Sequence, residues 1–222
     1  MILQLDNIVV NIQKTPILRG LSLDIDNGEF IGLVGRNGAG KTTTLRTIMG
    51  LIDPLSGSVN LFGQDASAVE AHHRPTMGIG YMPEDRRLVP QLTVEENILL
   101  PSWVIDGLDY KASLHFIFDL MPELEPMKNR KALQLSGGQQ KMVALGRALM
   151  AGTRLLVLDE PFEGVAPALA NRLTEVISNL RQQGRSILIA QSELGHSDAI
   201  MDREYVIERG EIISGRTLDG RG

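Results

Sequence analysis

No cysteine occurs among the 222 residues, so disulfide and thiolate chemistry are excluded and nothing requires an oxidising compartment. No apolar run approaches the ~20 residues of a membrane-spanning helix. The opening Met1-Ile2-Leu3-Gln4-Leu5-Asp6 carries an acid where a secretory leader would carry basic residues and an apolar core. These absences predict a cytoplasmic chain that does not itself cross a membrane. A basic stripe and low-complexity tracts are missing too, and the net charge of -5 argues against a nucleic-acid surface. His72, His73, His115 and His196 lack metal-ligand spacing apart from the adjacent pair and read as surface or core residues. What is present is 43% hydrophobic residues, ample for the core of one α/β domain with a helical part.

The stretch Gly35-Arg36-Asn37-Gly38-Ala39-Gly40-Lys41-Thr42 fits the phosphate-binding pattern G-x-x-x-x-G-K-[ST] and follows the strand-like run Phe30-Ile31-Gly32-Leu33-Val34. Its glycines allow backbone N–H groups to approach phosphate, and a helix beginning near Gly40 turns its positive end to the anion. Lys41 adds a charge for the β and γ oxygens, Thr42 offers a hydroxyl to Mg²⁺, and Thr43 completes the nucleotide-binding set. A second helix start, Leu135-Ser136-Gly137-Gly138-Gln139, precedes a segment that puts Met142, Leu145 and Leu149 on one face. Two such starts mean either two bound anions or one triphosphate shared between two copies.

Leu155-Leu156-Val157-Leu158-Asp159-Glu160 reads as a buried strand ending in two carboxylates. Asp159 is the candidate Mg²⁺ partner. Glu160, on the other side of the strand end, is the candidate general base that polarises an attacking water.

With these motifs in this order, the chain resembles the ATP-binding cassette (ABC) superfamily. That resemblance implies the α/β P-loop NTPase fold of ABC ATPases: a parallel-sheet core, a β-rich N-terminal part and an inserted helical subdomain at about residues 85–150, all within one ATP-binding domain spanning residues 1–222. It also implies ATP bound between two subunits, with Ser136, Gly137, Gly138 and Gln139 of one completing the site of the other. Partners would be transmembrane permease subunits, a second ATPase subunit in a homo- or heterodimer and, indirectly, a solute-binding protein, at the cytoplasmic face of the membrane. Nucleic acid is not an expected partner, since superfamily members acting on ribosomes or DNA typically carry two cassettes or a long coiled-coil insertion.

Along the chain, Ile2 to Leu5, Leu21 to Ile25, Glu29 to Val34, Ser58 to Phe62 and Gly78 to Met82 read as strands. Thr93 with Glu96 forms a capping-box pattern ahead of a helix. Beyond Leu158 come a helix through Leu169 to Leu180 and strands at Ser186 to Ala190, Tyr205 to Glu208 and Glu211 to Ile213, an alternation that argues a parallel α/β core. Trp103 and the nine methionines read as packing, on the helical face that would meet a membrane partner.

Four positions depart from the commonest cassette pattern. Ile12 stands where the family usually stacks an aromatic on adenine. Glu84 stands where most members have a glutamine that contacts Mg²⁺; it is a candidate metal ligand or a surface acid, its charge offset by Arg86 or Arg87. Ala166 replaces an aspartate of the dimer-contacting loop, and Gln191 replaces a histidine that touches the γ-phosphate, which makes it a candidate catalytic residue. Pro83-Glu84-Asp85-Arg86-Arg87, Leu92-Thr93-Val94-Glu95-Glu96-Asn97 and Glu160-Pro161-Phe162-Glu163-Gly164-Val165-Ala166-Pro167 are similar to the branched-chain amino acid importer branch, in its shorter ATP-binding subunit. That branch also serves amides and organic acids. A regulatory subunit that binds ATP with little hydrolysis, or a soluble non-transport ATPase, are the alternatives.

Overall fold

Apolar residues at Leu3, Leu5, Ile8 and Val10 face one side of a strand, β1 (Leu3–Ile12), which pairs antiparallel with β2 (Thr15–Ile25). Both strands are longer than their sequence patterns suggest. Asn7, at a φ of 48°, and Gly20, at 85°, sit where the pairing register shifts, so inward positions fall three residues apart and the period of two is broken. β4 (Ser56–Leu61) and β5 (Gln64–Asp65) complete a four-stranded antiparallel sheet in the order β2-β1-β4-β5. The computed structural model describes residues 1–193 and 195–218; the side chain of His196 lies outside that description.

The second sheet contains β3 (Phe30–Val34), β6 (Ile79–Met82), β7 (Leu155–Asp159), β8 (Ser186–Gln191), β9 (Arg203–Glu208) and β10 (Glu211–Thr217), ordered β10-β9-β3-β8-β7-β6. All neighbours are parallel except β10, which runs against β9. β7 and β8 are buried along their whole length, as strands covered on both faces must be. One apolar core lies between the two sheets and takes in Leu45 and Ile48 of α1 (Lys41–Ile48). A second lies under the parallel sheet against α2 (Val94–Leu99), α3 (Tyr110–Leu120), α4 (Gly137–Ala151) and α5 (Pro167–Asn179).

Between Lys141 and Ala151 only Arg147 escapes burial, so α4 is a core helix. A Cβ on Gly80 of β6 would come within 1.9 Å of the Ala148 carbonyl, which is why the helix can lie so close to the sheet. The capping box at Thr93 and Glu96 is formed, with reciprocal bonds of 3.1 and 2.7 Å. Met49, Met82, Met121, Met142, Met150 and Met201 are buried in the cores, and Trp103 is 62% exposed. Six of the nine methionines therefore pack in the cores and not on an outer face, Met77 and Met127 are half-buried and Met1 is exposed, whereas Trp103 does not pack: it lies in a short 3₁₀ turn after α2 that carries its ring outward. His72 faces Glu70 and His115 faces Asp119, all exposed. Because β3, β8, β7 and β6 are adjacent and parallel, their C-terminal ends and the loops that follow meet along one edge, the usual place for a ligand in an open α/β sheet.

Candidate nucleotide-binding site

The loop leaving β3 wraps the start of α1. Gly38 and Gly40 adopt φ values of 82° and 115°, a left-handed conformation that costs a side-chain-bearing residue about 1–2 kcal/mol. No side chain caps α1, whose N-cap is Gly40, so the first-turn amides are directed at whatever occupies the cleft beside them. That cleft measures about 420 Å³ and is lined by Asn37, Gly38, Gly40, Lys41, Thr42 and Thr43, by Glu84 and Glu160, and by Ile17. Gly35 and Ala39 are buried on the inner side of the loop and Arg36 is exposed; a Cβ on Gly35 would reach 2.3 Å from the Ile207 carbonyl.

Lys41 and Glu160 are 5% and 6% exposed, and their Nζ and Oε1 atoms lie 3.1 Å apart. Lys41 also donates to the Gly35 carbonyl at 2.6 Å. Glu160 is held from a second side, because the Ser192 amide donates to its Oε2 at 3.2 Å and the Ser192 hydroxyl lies 2.9 Å from its Oε1. The same hydroxyl lies 2.9 Å from Asn37 Oδ1, tying the β8 end to the phosphate loop. Gln191 is buried, and its carbonyl accepts from the Gly35 amide. It lines the adjoining cleft with Asn37, Glu160 and Ser192.

Asp159 is fully buried. Its Oδ1 accepts a hydrogen bond from the Thr42 hydroxyl at 3.3 Å, while its Oδ2 is buried without a partner. Burial is the main reason its carboxyl is pushed up to about 6, with the charges of Glu84 and Glu160 adding to the effect and Thr42 and Lys41 opposing it. An orphaned carboxylate oxygen next to a threonine hydroxyl suits a hard divalent cation that keeps most of its waters. Glu84 is exposed at the rim of the same cleft. The arginines expected to offset it turn elsewhere: Arg87 pairs with Asp85, and Arg86 donates to the Gly137 carbonyl. Both sit at positive φ in a tight loop, and neither forms an ion pair with Glu84 among the described residues, although Arg86 lines a pocket together with it.

Ser136, Gly137, Gly138 and Gln139 do not line the cleft around Lys41. Ser136 caps α4, accepting from the Gln139 amide at 3.3 Å while Gln139 Oε1 accepts from the Ser136 amide at 3.0 Å. Ser136 and Gly137 are exposed and Gly138 is half-buried. Ile12 is 42% exposed at the far end of β1 and does not line the cleft, whereas the half-buried Ile17 does. Ala166 is the N-cap of α5 and makes no capping bond. Pattern reading missed Ile17, Ser192 and Lys141, the last of which has its ammonium on the carbonyls of Glu160, Pro161 and Glu163.

A loop that cradles phosphate, a helix start aimed into it and a carboxylate pair at the end of β7, one strand beyond β8 in the same parallel sheet, define a P-loop nucleoside triphosphatase. The ABC transporter family model matches residues 18–163. The chain is 34% identical over 211 residues to the high-affinity branched-chain amino acid transport ATP-binding protein BraG of Pseudomonas aeruginosa, covering 95% of this chain and 91% of that one. It is 31% identical over 215 residues to the lipopolysaccharide export system ATP-binding protein LptB of Haemophilus influenzae, covering 96% and 89%. The fold matches the ADP conformation of MJ1267, an ATP-binding cassette of an ABC transporter, with a TM-score of 0.85 and 29% identity over 97% of this chain and 91% of that one. The chain belongs to the ABC transporter family and is an ATP-hydrolysing, ATP-binding subunit of a transporter.

Proposed function

We propose that the whole chain acts as one ATP-binding domain at the cytoplasmic face of a membrane, hydrolysing Mg²⁺-ATP in a dimer of ATPase subunits and driving a permease for branched-chain amino acids or related amides and organic acids. The observation that carries the hydrolytic reading is the convergence of Lys41, Thr42, Asp159 and Glu160 on one cleft, with an unpartnered oxygen on Asp159. In this reading the loop amides and Lys41 hold the phosphates, and Thr42, Asp159 and Glu84 hold Mg²⁺, which neutralises charge on the phosphoryl oxygens when bound. Glu160 orients and deprotonates the attacking water, and Gln191 donates to the γ-phosphate. Ile12 or Ile17 meets the base. Ser136 to Gln139 reach the ATP of the partner subunit.

The importer reading is supported by the similarity to BraG and by the motif runs around Glu84, Thr93 and Glu160. No helix among the described residues is long and apolar enough to cross a membrane, so the translocation path belongs to other chains. The similarity to LptB is of nearly the same degree and supports a second reading, a subunit of a lipid-export system. Co-purification from solubilised membranes separates them. Small-solute permease subunits, with ATPase stimulation by a leucine-loaded binding protein, support the importer; recovery of a lipopolysaccharide-export membrane pair overturns it.

A further inference from the structure

We propose that Lys141 positions the candidate base: from the second turn of α4 its ammonium fixes the backbone on which Glu160 stands. The inference rests on the assignment of Glu160 given under Proposed function. Lys141 is 6% exposed, and its Nζ donates to the carbonyls of Glu160 at 2.8 Å, Pro161 at 3.2 Å and Glu163 at 2.5 Å. An ammonium has three donors, and all three are spent on this one loop. Burying a cation to serve neutral carbonyls is expensive, and among the described residues no carboxylate pairs with Lys141 within 4 Å, those of Glu163 and Glu160 acting on it without direct contact.

What the clamp secures is an unusual backbone. Glu160 has a φ of 48°, which a side-chain-bearing residue adopts only where its surroundings over-determine it. The Glu160 amide donates to the Ala190 carbonyl in β8 at 2.9 Å, and the Glu160 carbonyl accepts from Lys141. The amide is therefore anchored to β8, and the carbonyl, which also accepts from the Glu163 amide at 3.3 Å within the loop, is anchored to α4 through Lys141. The carboxylate is then set by Lys41 and Ser192. Because Lys141 lies one turn beyond Gly137, the helix whose start is directed at the partner's nucleotide is the element that holds the base of its own subunit.

The test is Lys141→Met in the full chain, which keeps the length of the side chain and removes every donor. ATP affinity from a fluorescent-nucleotide titration is expected within about threefold of the parent, because the phosphate loop is untouched, while kcat falls about thirtyfold or more. Lys141→Gln, whose amide can serve two of the three carbonyls, is expected to recover at least threefold over Lys141→Met. In a Glu160→Gln background, Lys141→Met should lower residual single-turnover hydrolysis by less than about threefold, since the base it serves is gone. A Lys141→Met chain that keeps more than a third of the parent kcat, loses ATP affinity instead, or multiplies its full loss onto Glu160→Gln overturns the proposal. If Lys141→Met does not fold, Lys141→Gln decides: a kcat equal to the parent's overturns the proposal, and a loss confined to kcat supports it. Hydrolysis by Glu160→Gln above about a tenth of the parent rate would sink the base assignment itself, whatever Lys141 does.

Discussion

Lys41 Nζ lies 3.1 Å from Glu160 Oε1, so one buried ammonium serves both the phosphate loop and the candidate base. A triphosphate draws on the same charge and competes with Glu160 for it. Glu160→Gln weakens that competition and removes the base while leaving the loop amides, Thr42 and Asp159 in place. ATP affinity is expected to hold or rise severalfold and turnover to fall below about a tenth of the parent's. Lys41→Ala should do the opposite to binding, lowering ATP affinity at least tenfold. Nucleotide titration of the two variants checks the pair; weaker binding by Glu160→Gln would contradict the shared-ammonium account.

Asp159 carries the largest electrostatic cost in the site. Below pH ~4 its carboxyl is protonated whether the chain is folded or not and contributes nothing to stability. Between its ordinary value of 3.8 and about 6 the folded state holds a proton that the unfolded state releases, so stability falls as pH rises through that window. Above about 6 the full penalty is present, on the order of 1–3 kcal/mol. Asp159→Asn is therefore expected to melt about 2–6 °C higher than the parent at pH 7.5 without Mg²⁺, with a smaller gap at pH 5, and to lose Mg²⁺-dependent hydrolysis. A melting point at pH 7.5 equal to or below the parent's would show that the buried carboxylate is not strained.

How much of this site was legible in the sequence follows from the range of the interactions. The phosphate loop, the strand ending at Asp159, the capping box at Thr93 and the helix start at Ser136 are local patterns, and their residues fall where the spacing places them. Strand lengths at the N-terminus were hidden by the bulges at Asn7 and Gly20, which break the alternation that signals a strand. The grip of Ser192 on Glu160 spans 32 residues and that of Lys141 spans 19, and each joins elements that only the sheet order brings together. Arg86 and Arg87 are the converse: near Glu84 in sequence, they spend their hydrogen bonds on the Gly137 carbonyl and on Asp85.

Ser192 touches Glu160 twice, through its amide and its hydroxyl. Ser192→Ala keeps the first contact and loses the second, together with the link to Asn37. A fall in kcat of about 3- to 10-fold with ATP affinity unchanged is expected, the mark of an interaction that orients the base rather than one that binds nucleotide. Steady-state kinetics and nucleotide titration together read it out. A loss confined to KM would move Ser192 from orienting Glu160 to binding the phosphate chain.

Base recognition is the part of the site with the least chemistry to work with. Neither Ile12 nor Ile17 can stack on a purine as an aromatic ring would, so a term of roughly 1 kcal/mol is missing while the base-blind triphosphate contacts remain. Discrimination between ATP and GTP should be weak, well under a hundredfold. The structure separates the two isoleucines, since Ile17 lines the cleft and Ile12 stands 42% exposed at the strand end. Ile17→Ala is accordingly expected to weaken ATP binding severalfold and Ile12→Ala to change it by less than about twofold. Ile12→Tyr adds a ring long enough to lie over the base and should tighten ATP binding severalfold. If Ile12→Ala costs more than Ile17→Ala, the base sits over the end of β1 and not beside Ile17; if Ile12→Tyr leaves affinity unchanged, the adenine is read by another residue.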